Sequence, residues 1–458
     1  MSNSSDKRKV AVLGGGLAGL SAARTLIEMG FDVTLVEKRP FLGGRAFSFY
    51  SRDADMEVDN GQHVFMGCCT YYIDFLRAIN AYADAVLQDS LRAEVVLGGI
   101  RGTLCSSPAL GPFHLVPSFM RYPHIGARDK FRALFGLLKA SLTNRRKSVE
   151  SLDSQTFYDW LKSNHQSERT IENLWNLIIL PTLNDDVRSV NADMALMVVQ
   201  QGLLKKPRDA AIGYARVGLG SIADARGRRF IEDSGGSVIQ GKTVRSLLFD
   251  GDVVGGAQLS DGTTLLADAY VSALPYGTLL DLLPPKLATD PFFEQIAGLT
   301  SAPIVNVHLW YDRPVMKDAF IAFLESPIQW VFNRSLIQGN PDSSGQYVCI
   351  SLSGAWDFIN RPKRDLEEMF EEEMRRVFPL ARDAVVQKRL IIKQLNATFR
   401  CVPGIASHRP SQVTPIENLF LAGDWTRTDW PSTMEGAVRS GVYAARALSE
   451  RLSPAKSR

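Results

Sequence analysis

A glycine-bearing motif near one end of the chain limits its fold more than any other feature. The apolar run Val10-Ala11-Val12-Leu13 breaks into Gly14-Gly15-Gly16-Leu17-Ala18-Gly19. A buried strand that turns through G-x-G-x-x-G into a helix makes a dinucleotide cradle. Gly14 allows the tight turn, Gly16 lets the backbone approach a pyrophosphate, and Gly19 lets the helix pack close to the sheet. The helix N-terminus offers unpaired N–H groups and a positive dipole end to the phosphates. The spacing predicts a strand over 10–13, a helix over 18–29 closed by Gly30, and a second strand over 31–36. Glu37 stands at the end of that strand, where an acidic residue accepts hydrogen bonds from adenosine ribose hydroxyls.

A second motif lies near the other end, Leu419-Phe420-Leu421-Ala422-Gly423-Asp424. An apolar strand ending in Gly-Asp, hundreds of residues after the first motif, reads as a second contact on one large cofactor, which suggests FAD and not a nicotinamide alone. Asp424 is placed to accept hydrogen bonds from the ribityl or phosphate-proximal hydroxyls. Ser432 or Thr433 caps a helix running to about Leu452. Its positive end is expected to face the flavin pyrimidine ring, where reduced flavin carries negative charge. Between the motifs, Gly43-Gly44-Arg45 follows the acidic strand end; its glycines permit close backbone approach, and Arg45 can pair with pyrophosphate.

A chain of 458 residues, 45% of them hydrophobic, holds two or three structural units with substantial cores. The net charge of +3 is too small to imply nucleic acid. Cys68, Cys69, Cys105, Cys349 and Cys401 are scattered and read as reduced thiols, and the six histidines are dispersed, so no metal site is expected. The first nine residues are polar and expected to be mobile. No secretory signal and no apolar run of membrane-spanning length is visible.

The expected class is α/β: a doubly wound, Rossmann-like FAD domain of glutathione-reductase type with a mixed-sheet substrate domain and a helical insertion. The FAD domain is discontinuous, from 9–80, 210–280 and 410–452; the substrate domain takes 281–409 with parts of 81–110; the insertion takes 111–209. Segments 235–239, 244–248 and 253–259, with Asp-Gly turns at 250–251 and 261–262, suggest an antiparallel meander. Strands are expected over 269–275, 305–311 and 347–352, and a charged helix over 364–377. In the insertion, Phe131, Leu134, Phe135, Leu138 and Leu142 share one helical face, ringed by Arg128, Lys130, Arg132 and Lys139 and followed by Arg145-Arg146-Lys147. Two readings compete: an ordinary core-facing helix, or a helix lying on an anionic membrane surface.

Two stretches are more specific. One is Asp59-Asn60-Gly61-Gln62-His63-Val64-Phe65-Met66-Gly67-Cys68 with Tyr72-Ile73-Asp74-Phe75-Leu76. The other is Ala397-Thr398-Phe399-Arg400, Pro403-Gly404, Arg409-Pro410 and Thr414-Pro415-Ile416-Glu417-Asn418, running into Leu419 to Thr426; Leu180-Pro181-Thr182-Leu183-Asn184 supports them. With these the chain resembles the squalene-associated desaturases of the FAD-dependent amine oxidase and phytoene desaturase superfamily. That resemblance implies reductive dehydroxylation of hydroxysqualene to squalene in hopanoid or triterpenoid biosynthesis, with hydride from reduced flavin and an electron donor of unknown identity. Carotenoid desaturation is the alternative, and a flavin amine oxidase the second. Carried over residue by residue, it assigns cofactor contacts to Gly14, Gly16, Gly19, Glu37, Gly44, Arg45, Val244 (adenine, through the backbone), Gly423, Asp424 and Met434. Dehydroxylation needs an acid at the departing oxygen; His63 is the first choice, with Asp59 and Glu435 as alternatives. Trp425, Trp430 and Arg427-Thr428-Asp429 depart locally and would shape the substrate tunnel. The expected partners are a lipophilic isoprenoid and a membrane surface. The expected location is cytoplasmic, peripheral on the inner face of the cytoplasmic membrane.

Overall fold

The computed structural model describes residues 7–340 and 345–452, so most of the polar segment expected to be mobile lies outside the described residues. A five-stranded parallel sheet runs in the order Ser237–Gln240, Asp32–Glu37, Lys9–Leu13, Ala269–Ser272, Leu419–Leu421. Its central strands are continuous apolar runs with nearly every residue buried, as a parallel sheet covered on both faces requires. The helix Leu17–Glu28 follows the first strand, and the closing helix Met434–Leu452 packs directly upon it. Ser21 Oγ donates to the Val438 carbonyl at 2.8 Å, which joins the two ends of the chain.

The meander differs from the sequence reading. It comprises Val244–Asp250, Val253–Leu259 and Thr264–Leu265. Ser237–Gln240 instead pairs in parallel with Asp32–Glu37 at the sheet edge. The preceding helix, Gly227–Asp233, packs against the opening helix Leu17–Glu28 and so delivers the following strand to this edge of the sheet. Asn418 ties the meander to the sheet, accepting from Val254 N–H at 2.8 Å and donating to Val254 O at 2.9 Å.

A second, seven-stranded mixed sheet is built on Val386–Phe399, Ser301–Tyr311, Gln346–Ser353, Trp330–Asn333, Phe320–Phe323, Arg92–Leu97 and Ile100–Cys105, in that order. The alternation of a strand splits its faces. Val305, Val307 and Leu309 join Val348, Ile350 and Leu352 in a core covered by Leu366, Phe370 and Met374 of the helix Lys363–Val377. Asn306, His308 and Trp310 therefore point the other way, toward the loop Asp59–His63. The long strand Val386–Phe399 escaped the sequence reading because charged residues interrupt its apolar positions.

The helix Ala127–Leu142 is core-facing in part. It packs inward on Ala133, Gly136 and Ala140, with Gly136 against Gln166 and Trp175, and Leu134 and Leu137 pack half-buried against the core. Phe131 is 66% exposed, Leu138 53% and Leu142 72%. Among the described residues, no helix is long and apolar enough to cross a membrane.

Candidate functional site

The cradle is built where three chain segments meet. Gly14 N–H donates to Val36 O, and Gly15 N–H to Glu37 Oε2, both at 2.8 Å. Glu37 Oε1 accepts from Arg39 N–H at 3.0 Å, so the buried carboxylate is aimed by backbone groups. A Cβ on Gly19 would sit 1.9 Å from Gly14 O, so this turn excludes any side chain there. Gly44, at φ +61°, faces Gly16; a Cβ on it would lie 2.9 Å from Gly16 Cα. The two backbones thus converge without side chains at the N-terminus of the opening helix, the arrangement a pyrophosphate needs. Lys242 N–H donates to Glu37 O and Gly241 N–H to Arg39 O, which brings the Val244 strand beside Glu37. These residues fit FAD.

At the far end, Gly423 N–H donates to Ser440 Oγ at 2.8 Å, and the Asp424 carboxylate is buried. It pairs with the Arg45 guanidinium and accepts from Ser432 Oγ. Sequence reasoning gave Arg45 to the pyrophosphate; in the structure it joins the two glycine motifs through Asp424, and its second nitrogen donates to Ala397 O at 3.0 Å. Thr433 Oγ1 accepts from Gly436 N–H at 3.1 Å and so caps the closing helix, which begins at Met434. Trp425 and Trp430 are buried, and Arg439 lies over the Trp430 ring.

The loop Asp59–His63 connects this end to the seven-stranded sheet. Asn60 Nδ2 donates to Arg45 O at 2.8 Å, while Asn306 Nδ2 and Gln394 Nε2 donate to Asn60 O at 3.1 and 3.3 Å. The three acid candidates have different surroundings. Asp59 is fully engaged, with Oδ2 2.6 Å from the buried Arg334 guanidinium and Oδ1 accepting from Ser48 Oγ and Leu219 N–H. Glu435 accepts from Tyr71 and Tyr72 N–H, at the first turn of helix Thr70–Ala78, and pairs with Arg439. Burial raises its pKa. His63 is half-buried, and desolvation lowers its pKa, so the ring is neutral near pH 7. Its Nδ1 lies 3.2 Å from the Gly61 carbonyl, which can only accept. Nδ1 therefore carries the hydrogen and Nε2 the lone pair.

Residues that sequence reasoning missed cluster behind this loop. Arg334 holds Asp59 and, at 2.5 Å, Gln62 Oε1. His308, buried, bonds Tyr347 Oη at 2.7 Å through Nδ1, and Tyr347 stacks on Trp310. No sequence spacing marks these contacts, which arise only when the sheet docks against the loop. Met66, beyond His63, and Leu115 both pack against a buried apolar cluster that includes Leu203, Phe320 and Phe332.

The model of the flavin-containing amine oxidoreductase family matches residues 17–449. The chain belongs to that family. This flavoprotein is 26% identical to 15-cis-phytoene desaturase of Synechococcus elongatus, over 96% of this chain and 95% of that one. It is also 26% identical to the zeta-carotene desaturase of Synechocystis sp., over 96% and 97%. Among solved structures it is similar to an oxidoreductase from Methanosarcina mazei, with TM-score 0.72, 16% identity and coverage of 96% and 100%. Cyclohexylamine oxidase from Brevibacterium oxydans gives TM-score 0.70, 19% identity and coverage of 98% and 100%. The flavoprotein is thus an FAD-dependent oxidoreductase whose parallel sheet and mixed sheet follow the architecture of the amine oxidase structures.

Proposed function

We propose that this oxidoreductase acts on a long polyisoprenoid hydrocarbon and that its reaction is a carotenoid-type desaturation. The observation that carries this reading is the full-length likeness to phytoene and zeta-carotene desaturases. The apolar residues packed between Met66 and Leu115 are compatible with a hydrocarbon substrate. Bound FAD supplies two-electron redox chemistry. Glu37, Gly16 and Gly44 hold its dinucleotide end, and Asp424 and Met434 its ring end. Trp425 and Trp430 keep water from that end. Desaturation also releases a proton, and the lone pair on His63 Nε2 suits a base. A base of lowered pKa is ready at neutral pH, so kcat/KM is expected to fall only below pH 6.5. His63→Gln should remove that acid limb and lower turnover at least tenfold.

A second reading, reductive dehydroxylation of hydroxysqualene, is favoured by the motifs over 59–68 and 397–426. It requires an acid: Asp59 is ion-paired with Arg334 and His63 is neutral, while burial raises the Glu435 pKa, as an acid needs, although Arg439 pairs with it. The test pairs two incubations of FAD-loaded enzyme in liposomes. With phytoene or zeta-carotene and a quinone acceptor, new conjugated double bonds are expected. Squalene from hydroxysqualene after anaerobic reduction, with the carotenes unchanged, would overturn desaturation in favour of the second reading.

The substrate dissolves in bilayers, so the same reading places the protein peripherally on an anionic membrane. The exposed Phe131, Phe135, Leu138 and Leu142 would enter the lipid, with Arg128, Lys130 and Arg132 at the headgroups.

A further inference from the structure

Arg409 is a buried cation without a neutralising partner. The residue is 4% exposed, and its guanidinium forms no ion pair with any carboxylate of the described residues. One terminal nitrogen, with two N–H groups, lies within hydrogen-bond distance of four acceptors: Asp424 O at 3.0 Å, Thr426 O at 2.6 Å, Thr428 Oγ1 at 3.1 Å and Trp430 O at 2.8 Å. The other lies 3.9 Å from Met194 Sδ, and Nε has no partner. The group sits 4.7 Å from the Phe399 ring centroid. The charges that face it are few. Asp424 is already paired with Arg45, Asp429 and Arg427 are exposed on the loop, and Asp153 accepts from Asn191 and Ala406 N–H. Burial lowers its pKa, yet from so high a value that the charge persists.

The four acceptors span the loop that joins Gly423-Asp424 to the closing helix. The cation and the positive end of that helix therefore act at one end of the cradle. We propose that Arg409 is a positioning residue that fixes this loop and, through its unneutralised charge, favours the reduced state of bound FAD, which carries one more negative charge than the oxidised state. The inference rests on the placing of the ring end at Asp424 and Met434.

Its test is the reduction potential of the bound flavin, measured by dye equilibration in the holoprotein, together with FAD content. Arg409→Gln should weaken the preference for the reduced state roughly tenfold, which for a two-electron couple is a fall of about 30 mV. Arg409→Lys, which keeps the charge, should stay close to wild type. Met194→Glu should neutralise the guanidinium where it stands and lower the potential as Arg409→Gln does, and it decides the matter if Arg409→Gln does not fold. Thr428→Val removes one loop contact without changing charge and should leave the potential unmoved. The proposal is overturned if the neutralising variants hold FAD at an unchanged potential, or if Thr428→Val lowers it as much as they do. Wild-type protein that cannot bind FAD would instead sink the cofactor reading beneath it.

Discussion

Asp59 and Arg334 are both almost inaccessible, at 4% and 3% side-chain exposure, and each is the other's charge partner. Removing one leaves the other buried and unpaired. Asp59→Ala is therefore expected to destabilise the fold by about 3–5 kcal/mol, measured by urea denaturation; a loss below about 1 kcal/mol would mean the pair is solvated. His308 adds a pH dependence. Burial, and then the charge on Arg334, lower its pKa to about 3 from an ordinary value of 6.5. The unfolded chain takes up a proton that the folded chain refuses, so stability falls as pH drops from 6.5 toward 3. The slope is at most about 1.4 kcal/mol per pH unit. His308→Gln should flatten the dependence of the urea midpoint between pH 7 and pH 5; an unaltered slope would assign it to other groups. At this scale the sequence spoke where backbone chemistry demands a residue type, as at Gly19 and Glu37. It was silent on Arg334 and His308, whose roles depend on partners distant along the chain.

The helix Ala127–Leu142 shows what periodicity can and cannot decide. Its apolar stripe was legible, but a stripe does not say whether protein or lipid covers it. The structure puts small residues inward and leaves Phe131, Phe135 and Leu138 outside. Changing these three to Ser should leave thermal stability nearly unaltered and weaken binding to anionic liposomes more than tenfold. Full retention of binding would remove this helix as the anchor. The strand Ser237–Gln240 teaches a related lesson. Its apolar residues announced a strand, while its partner was set by the docking of the helix before it, Gly227–Asp233, on the opening helix and not by the hairpin-like turns after it.

Across the whole molecule, residues more than 370 positions apart are brought into one cradle, as the Arg45–Asp424 pair shows most plainly. The two glycine motifs made the nucleotide sheet readable from the chain alone, because a pyrophosphate site imposes strict local geometry. The seven-stranded sheet was only partly readable: Arg92–Leu97 and Ile100–Cys105 form a local hairpin about Gly98-Gly99, but its docking on Phe320–Phe323 depends on residues distant along the chain. The central claim is that both ends of the chain grip a single FAD. Calorimetric titration of the apoprotein with FAD tests it most directly, on wild type and on Glu37→Ala and Asp424→Asn, one variant from each end. One FAD per chain is expected, with at least a tenfold loss of affinity, about 1.4 kcal/mol, in each variant. Folded wild-type protein that takes up no FAD, or a loss confined to one end, would contradict it.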